Sequence, residues 1–322
     1  MIGGRIAGTL FRPAVTVMDR LSYPRKMLLM AFVVAIPLAL FMALFMTETN
    51  EDLTAAGRQR LGIEYTGTLM RFLLNVQQHR ALAKAHLSGD GTLGEQIADK
   101  QRVIEREISF LDAFDRTVGA KLGTGEEWTR LRTDWMDLIA DFPSMNEKQS
   151  FDSHTELIRS TLSLAVHIGD ISGLTTDRHI DTVYLVDAAL HELPQALEYA
   201  GQIRGIGTGA LVPKHLTIHE RAQLTILTGL SASSLEEVKG NLEKAYRVRP
   251  DLRNRVDGPF RETEGKFRRA GEILDRDILL ARTLTIGSAD FYNVFTDAIN
   301  AGFILHEALL DAVSTLLKER QA

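Results

Sequence analysis

Two arginines occupy positions that a helical bundle normally gives to leucine. Leu73, Arg80 and Leu87 are seven residues apart, and so are Leu190, Leu197, Arg204 and Leu211. Heptad spacing lines such residues along the stripe of a helix that faces its neighbours, so each arginine takes a core slot. An unpaired guanidinium is costly in an apolar seam. Each therefore requires an internal carboxylate or an anionic ligand, unless it snorkels to an exposed position. Its planar fork of donors suits carboxylate, nitrate-like or phosphate-like groups. Asp187, inside the otherwise apolar stretch 184–190, is an obvious partner for a pair that fixes bundle register. The sequence leaves these readings open.

The arginines belong to a repeat. Gln78-His79-Arg80-Ala81-Leu82-Ala83-Lys84-Ala85-His86-Leu87 and Gln202-Ile203-Arg204-Gly205-Ile206-Gly207-Thr208-Gly209-Ala210-Leu211 share the pattern Q-x-R-small-aliphatic-small-x-small-x-L. The helices that follow start near Thr92 and Thr217, at almost the same offset. The pattern predicts two four-helix units in tandem. The small residues after each arginine serve close helix packing and thin the wall of the bundle there. Arg80 and Arg204, with Gln78, His79 and Gln202 beside them, are the candidate ligand contacts.

Other constellations carry less. His215 and His219 are four apart, a spacing that can bind metal, but no third ligand or neighbouring Glu accompanies them. His191-Glu192 and His306-Glu307 read as solvated helix residues. Asp177, His179 and Asp181 form a local cluster that helix-start capping by the two acids explains. Gly205 to Gly209 lies within a helical pattern with no preceding strand, so it is no dinucleotide loop. There is no G-x-S-x-G and no P-loop. With no Cys in 322 residues, disulfides, thiolate catalysis and Cys-ligated metals are excluded. We expect no catalytic residues, no metal site and no cofactor.

These residues must be positioned by helices. Abundant Ala, Leu, Glu and Arg with 8 Pro and 7% aromatics favour an all-α chain. The run Met27 to Met46 carries no charge and as a helix spans about 30 Å, the thickness of a bilayer's hydrocarbon core. Arg5, Arg12, Arg20, Arg25 and Lys26 precede it against Asp19 alone, and Glu48, Glu51 and Asp52 follow. Basic residues stay inside, which places the N-terminus in the cytoplasm and residues 47–322 in the periplasm. A cleaved signal peptide fits poorly, because the run is long and residues 42–49 offer no small-residue cleavage site. Residues 1–26 form a cytoplasmic segment, and Ile6, Leu10, Phe11 and Val15 among the arginines allow a short amphipathic helix there. Of the overall charge of −5, the exported part holds an acidic excess, which argues against nucleic acid.

Breakers divide the exported part into eight helices. The first runs on from the membrane to Leu87, the second from Thr92 to Val118, and the third from Thr124 to Asp141. The fourth opens at Asp152 or Ser153 and closes at Ser172-Gly173. The fifth is capped by Thr176 or Asp177 and reaches Leu211 despite Pro194. The sixth begins at Thr217 with Glu220 completing a capping box, the seventh covers Pro259 to Arg282, and Ser288 caps the eighth. Units of residues 47–174 and 175–322 result, in an antiparallel pattern. The last helix is still periodic at Lys318-Glu319-Arg320, from which we expect a second membrane helix and a cytoplasmic output module beyond it.

Leu61 to Asp90 resembles the first periplasmic helix of many bacterial transmembrane receptors, and Gly173 to Leu211 resembles their second unit. Such regions occur in methyl-accepting chemotaxis proteins, and related ones in histidine kinases and diguanylate cyclases. Gln78-His79-Arg80 and Ala200-Gly201-Gln202-Ile203-Arg204-Gly205 are similar to the paired motifs of nitrate- and nitrite-sensing (NIT) domains. That resemblance implies tandem four-helix bundles in which arginines near the motifs contact an anion. The chain departs from it in carrying His79 and Ile203 where the family usually has an acidic residue. The expectation is a receptor sensor region in the bacterial inner membrane, binding a small anionic ligand as a homodimer and reaching cytoplasmic signalling partners through its output module. A membrane-anchored helical scaffold with no small ligand is the alternative. The orientation predicts that alkaline phosphatase fused after Leu211 is active in cells and a fluorescent protein fused there is dark; the reverse pattern would refute it.

Overall fold

The structure, a computed structural model, describes residues 22–320, and the expected amphipathic segment lies almost wholly outside them. Helix accounts for 89% of the described residues and none is in a strand. The helices are α1 (Tyr23–Leu87), α2 (Gly94–Phe114), α3 (Gly125–Asp141), α4 (Glu147–Ser172), α5 (Ile180–Asp187), α6 (Leu193–Leu211), α7 (Ile218–Val248), α8 (Arg253–Leu274) and α9 (Ser288–Glu319). The chain divides after Thr54 into two compact units.

In the first of these, residues Tyr23–Ala43 have a mean hydropathy of 2.3 and none is buried. Leu28, Phe32, Val34 and Phe41 all stand exposed around the helix. By length and composition this segment suffices to cross a bilayer.

The second compact unit, Ala55 onward, holds two four-helix bundles. In one, α1 packs with α2, α3 and α4 around Leu69, Phe72, Leu73, Ile104, Leu111, Trp128, Trp135 and Ile158. Phe72 meets Trp128 edge to face at 5.8 Å. In the other, the α5–α6 segment packs with α7, α8 and α9 around Leu197, Leu224, Val238, Val256, Leu274, Phe295 and Leu309. The two cores join in one cluster, because α6 packs against α1 on one side and α9 on the other.

Local signals account for most boundaries. Thr217 caps α7 and Glu220 returns the bond to the Thr217 amide, as the sequence predicts. Gly173, at φ 81°, closes α4 in the left-handed conformation that glycine adopts without strain. Several starts differ from expectation; at α9, Gly287 takes the cap position and Ser288, expected there, is the first helical residue. Helix α4 opens at Glu147, not at Asp152 or Ser153, because Asn146 and Gln149 form a capping box that a search for Ser or Thr with Glu passes over. Helix α5 opens at Ile180, three residues beyond Asp177, whose carboxylate instead accepts from the His179 amide. Helix α8 opens at Arg253, ahead of Pro259, and its α-helical part ends at Leu274, followed by a π turn through Leu279. There the burial of Leu252, Val256 and Phe260 along one face outweighs the missing proline N–H. Pro194 is accommodated differently, since a π turn at Ala188–Glu192 widens the backbone just before it.

Close approach on α6 is set by glycine. A Cβ on Gly207 would lie 2.3 Å from Cε1 of Phe291, and one on Gly302 would lie 2.2 Å from Cδ2 of Leu197. Phe291 is fully buried and has nowhere to swing, so Gly207→Ala should lower stability by about 1–3 kcal/mol through overpacking. Gly229→Ala, on the exposed side of α7 where an added Cβ meets nothing, should raise it by about 0.5–1 kcal/mol. Denaturant unfolding of the two variants reads the opposite signs; a gain from Gly207→Ala would contradict the packing described.

Candidate functional site

Gly201, Gly205 and Gly209 recur every fourth residue on α6 and present bare backbone to α1. A Cβ on Gly201 would stand 2.9 Å from Nη2 of Arg80, and one on Gly209 would stand 2.8 Å from the Lys84 stem. The long cations of α1 therefore lie directly against α6, as the small residues in the repeat foreshadow.

Arg80 is 0% exposed. Its Nη1 donates to Glu198 Oε1 at 2.6 Å and its Nη2 to Oε2 at 3.1 Å, an end-on fork across the two bundles. Nη1 also donates to Thr155 Oγ1 at 3.0 Å on α4, and the guanidinium lies 5.1 Å from the Phe151 ring centroid. Glu198 further accepts from Gln77 Nε2 at 2.9 Å and Gln202 Nε2 at 2.8 Å. The carboxylate that meets Arg80 is thus Glu198 of α6. Asp187, expected as an arginine partner, instead accepts from Asn241 Nδ2 at 2.7 Å and faces His191, half-exposed, because its side of α5 turns toward α7.

Arg204 is also 0% exposed, but it has no carboxylate. Nη1 donates to Thr296 Oγ1 of α9 at 2.9 Å, and the Tyr292 ring lies 5.1 Å away. Its Nε and Nη2 have no hydrogen-bond partner among the described residues. These two N–H groups form the side-on edge of the guanidinium, the edge with which Arg249 holds Asp251 and Arg276 holds Asp277 on the surface. Burial pulls the Arg204 guanidinium down to about 10; Tyr292 and Glu198 oppose that pull and the nearby charge of Arg80 adds to it. At neutral pH it remains a cation. Chemically, this is a water-poor positive edge shaped for a planar oxyanion.

The other candidates are placed as follows. His79 is fully buried in the first bundle, stacked on His154 with 2.6 Å between Nδ1 and Nε2, and edged by Trp135 and Phe142. His154 Nδ1 lies 2.6 Å from the Ser150 carbonyl, so it donates there; its Nε2 then accepts from His79. Burial holds both imidazoles below the usual histidine range, His154 at about 4. They are neutral, and a one-way chain of donors runs from His79 through His154 to the Ser150 carbonyl. Gln202 faces Glu198, as noted. Gln78 stands apart, accepting from Lys100 Nζ at 2.5 Å, and its neighbour Gln77 reaches the arginine pair.

His306, expected to be solvated, is buried and held at about 4 by burial. It faces the core because the α9 stripe through Phe295, Gly302 and Leu309 turns it inward. His215 and His219 are exposed, and no cluster of metal-ligating side chains occurs among the described residues. Asp177 and Asp181, expected to cap α5, do not, since that helix has no side-chain cap. Asp177 accepts from the His179 amide, Asp181 from the Thr182 amide, and both bind Arg320, at 3.0 and 2.8 Å.

Sequence reasoning missed Glu198, Gln77, Thr155, Thr296 and Tyr292. A signal for Glu198 existed: it and Arg204 are the two charged residues within Leu193–Leu211. The two threonines and Tyr292 gave none, since such residues are ordinary on amphipathic helices.

The sequence model of a family described as nitrate and nitrite sensing matches residues 72–314, an interval that contains both arginine motifs. Among curated proteins no match is found. The solved structure of the NasR transcription antiterminator superposes with a TM-score of 0.62 at 13% identity, over 88% of this chain and 75% of that one. At such low identity the likeness shows the fold.

The two arginines should respond differently to truncation. Arg80→Ala leaves Glu198 buried without its cation, and should cost on the order of 3–5 kcal/mol. Arg204→Ala removes a buried cation that has no counter-charge, so in anion-free buffer stability should hold or rise. Equal losses in chemical denaturation would show that both arginines play the same structural part.

Proposed function

The chain belongs to the nitrate and nitrite sensing family, and from that premise we propose that its helical region is the ligand-sensing portion of a bacterial transmembrane receptor of the methyl-accepting chemotaxis type. The reading gives residues 47–174 to a first unit and 175–322 to a second, both periplasmic, with the preceding apolar segment in the inner membrane. The observation that carries it is the side-on edge of Arg204, buried and without an internal acceptor. Nitrate and nitrite are small planar or bent oxyanions that can accept two parallel N–H bonds there. Arg204 supplies the grip, Arg80 a second positive charge, and Gln202 a donor oriented by Glu198. In this reading His79 supports the site from the first bundle through His154, and Gln78, bonded to Lys100, stays outside it.

In this reading, signalling follows from differential packing. An anion joining Arg204 favours whichever arrangement of α6 and α9 brings Thr296 and Tyr292 closest, and a ligand shifts a conformational equilibrium only by such a difference. Shifts of about 1–2 Å between helices suffice in comparable transitions. A homodimer presents two copies of α1 and α9 to carry the shift. A sensor region feeding a kinase, a cyclase or a cytoplasmic regulator would use the same site, and the output module distinguishes these.

Nitrate and nitrite, titrated with chloride and sulfate as controls, should raise the unfolding midpoint. At a hundredfold excess over Kd the gain is about 2.7 kcal/mol. Arg204→Ala should abolish that gain while the protein stays folded. A wild-type midpoint indifferent to both anions would refute the reading.

A further inference from the structure

Helices α7 and α8 leave a cavity of about 270 Å³ in the second bundle. Leu235, Phe267, Leu274 and Phe295 wall it, with Ala200 and Ala298 at its floor. Protein interiors are close-packed and seldom keep a void larger than a water molecule. A cavity of roughly 150 Å³ with such a lining takes up benzene, so this one has room for a larger ring system. We propose that it is a second binding site, for a neutral apolar molecule of one or two fused rings.

The chemistry of the walls sets that class. Two hydroxyls face the space, and both are already committed: Ser231 donates to the Ala196 carbonyl at 3.1 Å and Thr228 to the Leu224 carbonyl at 2.7 Å. A ligand that needs a donor finds none among them. At the mouth, Glu236 and Glu264 flank Lys239 at 3.8 and 3.4 Å, and Arg268 lies exposed on the rim. Two carboxylates against two cations leave no net field to select a charged guest. Burial of apolar surface is then the driving force.

Placement links the cavity to the arginine edge. Ile203 and Phe295 line it, and their chain neighbours Arg204 and Thr296 form the hydrogen bond between α6 and α9. An occupant therefore presses on the two helices that hold Arg204, from the opposite bundle face, and supplies a second input to the same pair.

The test uses the full chain in lipid nanodiscs, titrated calorimetrically with indole and with naphthalene against empty nanodiscs. One saturable site per chain is expected. Gly271→Leu puts a side chain into space where an added Cβ meets no atom, and should weaken binding at least tenfold while circular dichroism stays helical. Should Gly271→Leu lose its helical spectrum, Ala232→Phe on the exposed rim decides by the same criterion. No saturable heat with either probe, or an affinity unchanged in the filled variant, overturns the proposal.

Discussion

Removing a guanidinium from water costs several kcal/mol unless its donors are met inside the protein, and this chain removes two. Arg80 is met by the fork of Glu198, which joins α1 to α6 across the two bundles. That pair depends on its surroundings. Gly201 leaves the room for the guanidinium to pass, Gln77 and Gln202 occupy the remaining lone pairs of Glu198, and Thr155 takes a further N–H. The fork and the bonds around it fix Glu198 against Arg80, so they set the register of α1 on α6 as well as their separation.

The repeated unit has diverged around this constraint. Arg204 occupies in the second bundle the slot that Arg80 occupies in the first, with an aromatic ring at the same 5.1 Å and a threonine hydroxyl on the same nitrogen. Only the carboxylate is missing. The single Glu198 therefore stands against two buried guanidiniums, and the cluster carries an excess of positive charge in a low-dielectric setting. The neutral His79–His154 pair adds none to it, since burial suppresses the protonation of both rings. That imbalance lies at the junction of the two bundles, and it is the feature on which the proposed anion site rests.

The two bundles also solve the packing problem differently. The first fills its interior with Trp128 and Trp135, each edged by a ring from α1. The second uses Ala200, Ala270 and Ala298 at the comparable depth and keeps a cavity. π turns interrupt both bundles, at Asp115–Gly119 in the first and at Ala188–Glu192 and Asp275–Leu279 in the second. Close contacts at Gly207 and Gly302 bring α6 and α9, the helix pair carrying Arg204 and Thr296, near one another.

Local physics was legible in the sequence. Heptad spacing put Arg80 and Arg204 on core stripes because periodicity depends only on the chain's own 3.6-residue turn, and both proved fully buried. Composition determined the all-α class, the Thr217–Glu220 box a helix start, and an uncharged run a span apolar enough for a bilayer. Where several local signals competed, boundaries slipped: Pro259 reads as a beginning but lies inside α8, since burial of Val256 and Phe260 outweighs one missing hydrogen bond. What only the tertiary structure decided was partnership. Glu198 lies 118 residues from Arg80, while the nearer-seeming Asp187 faces another helix. Pairing across such a distance follows from which faces of α1 and α6 approach each other, and that is a property of the assembled helices.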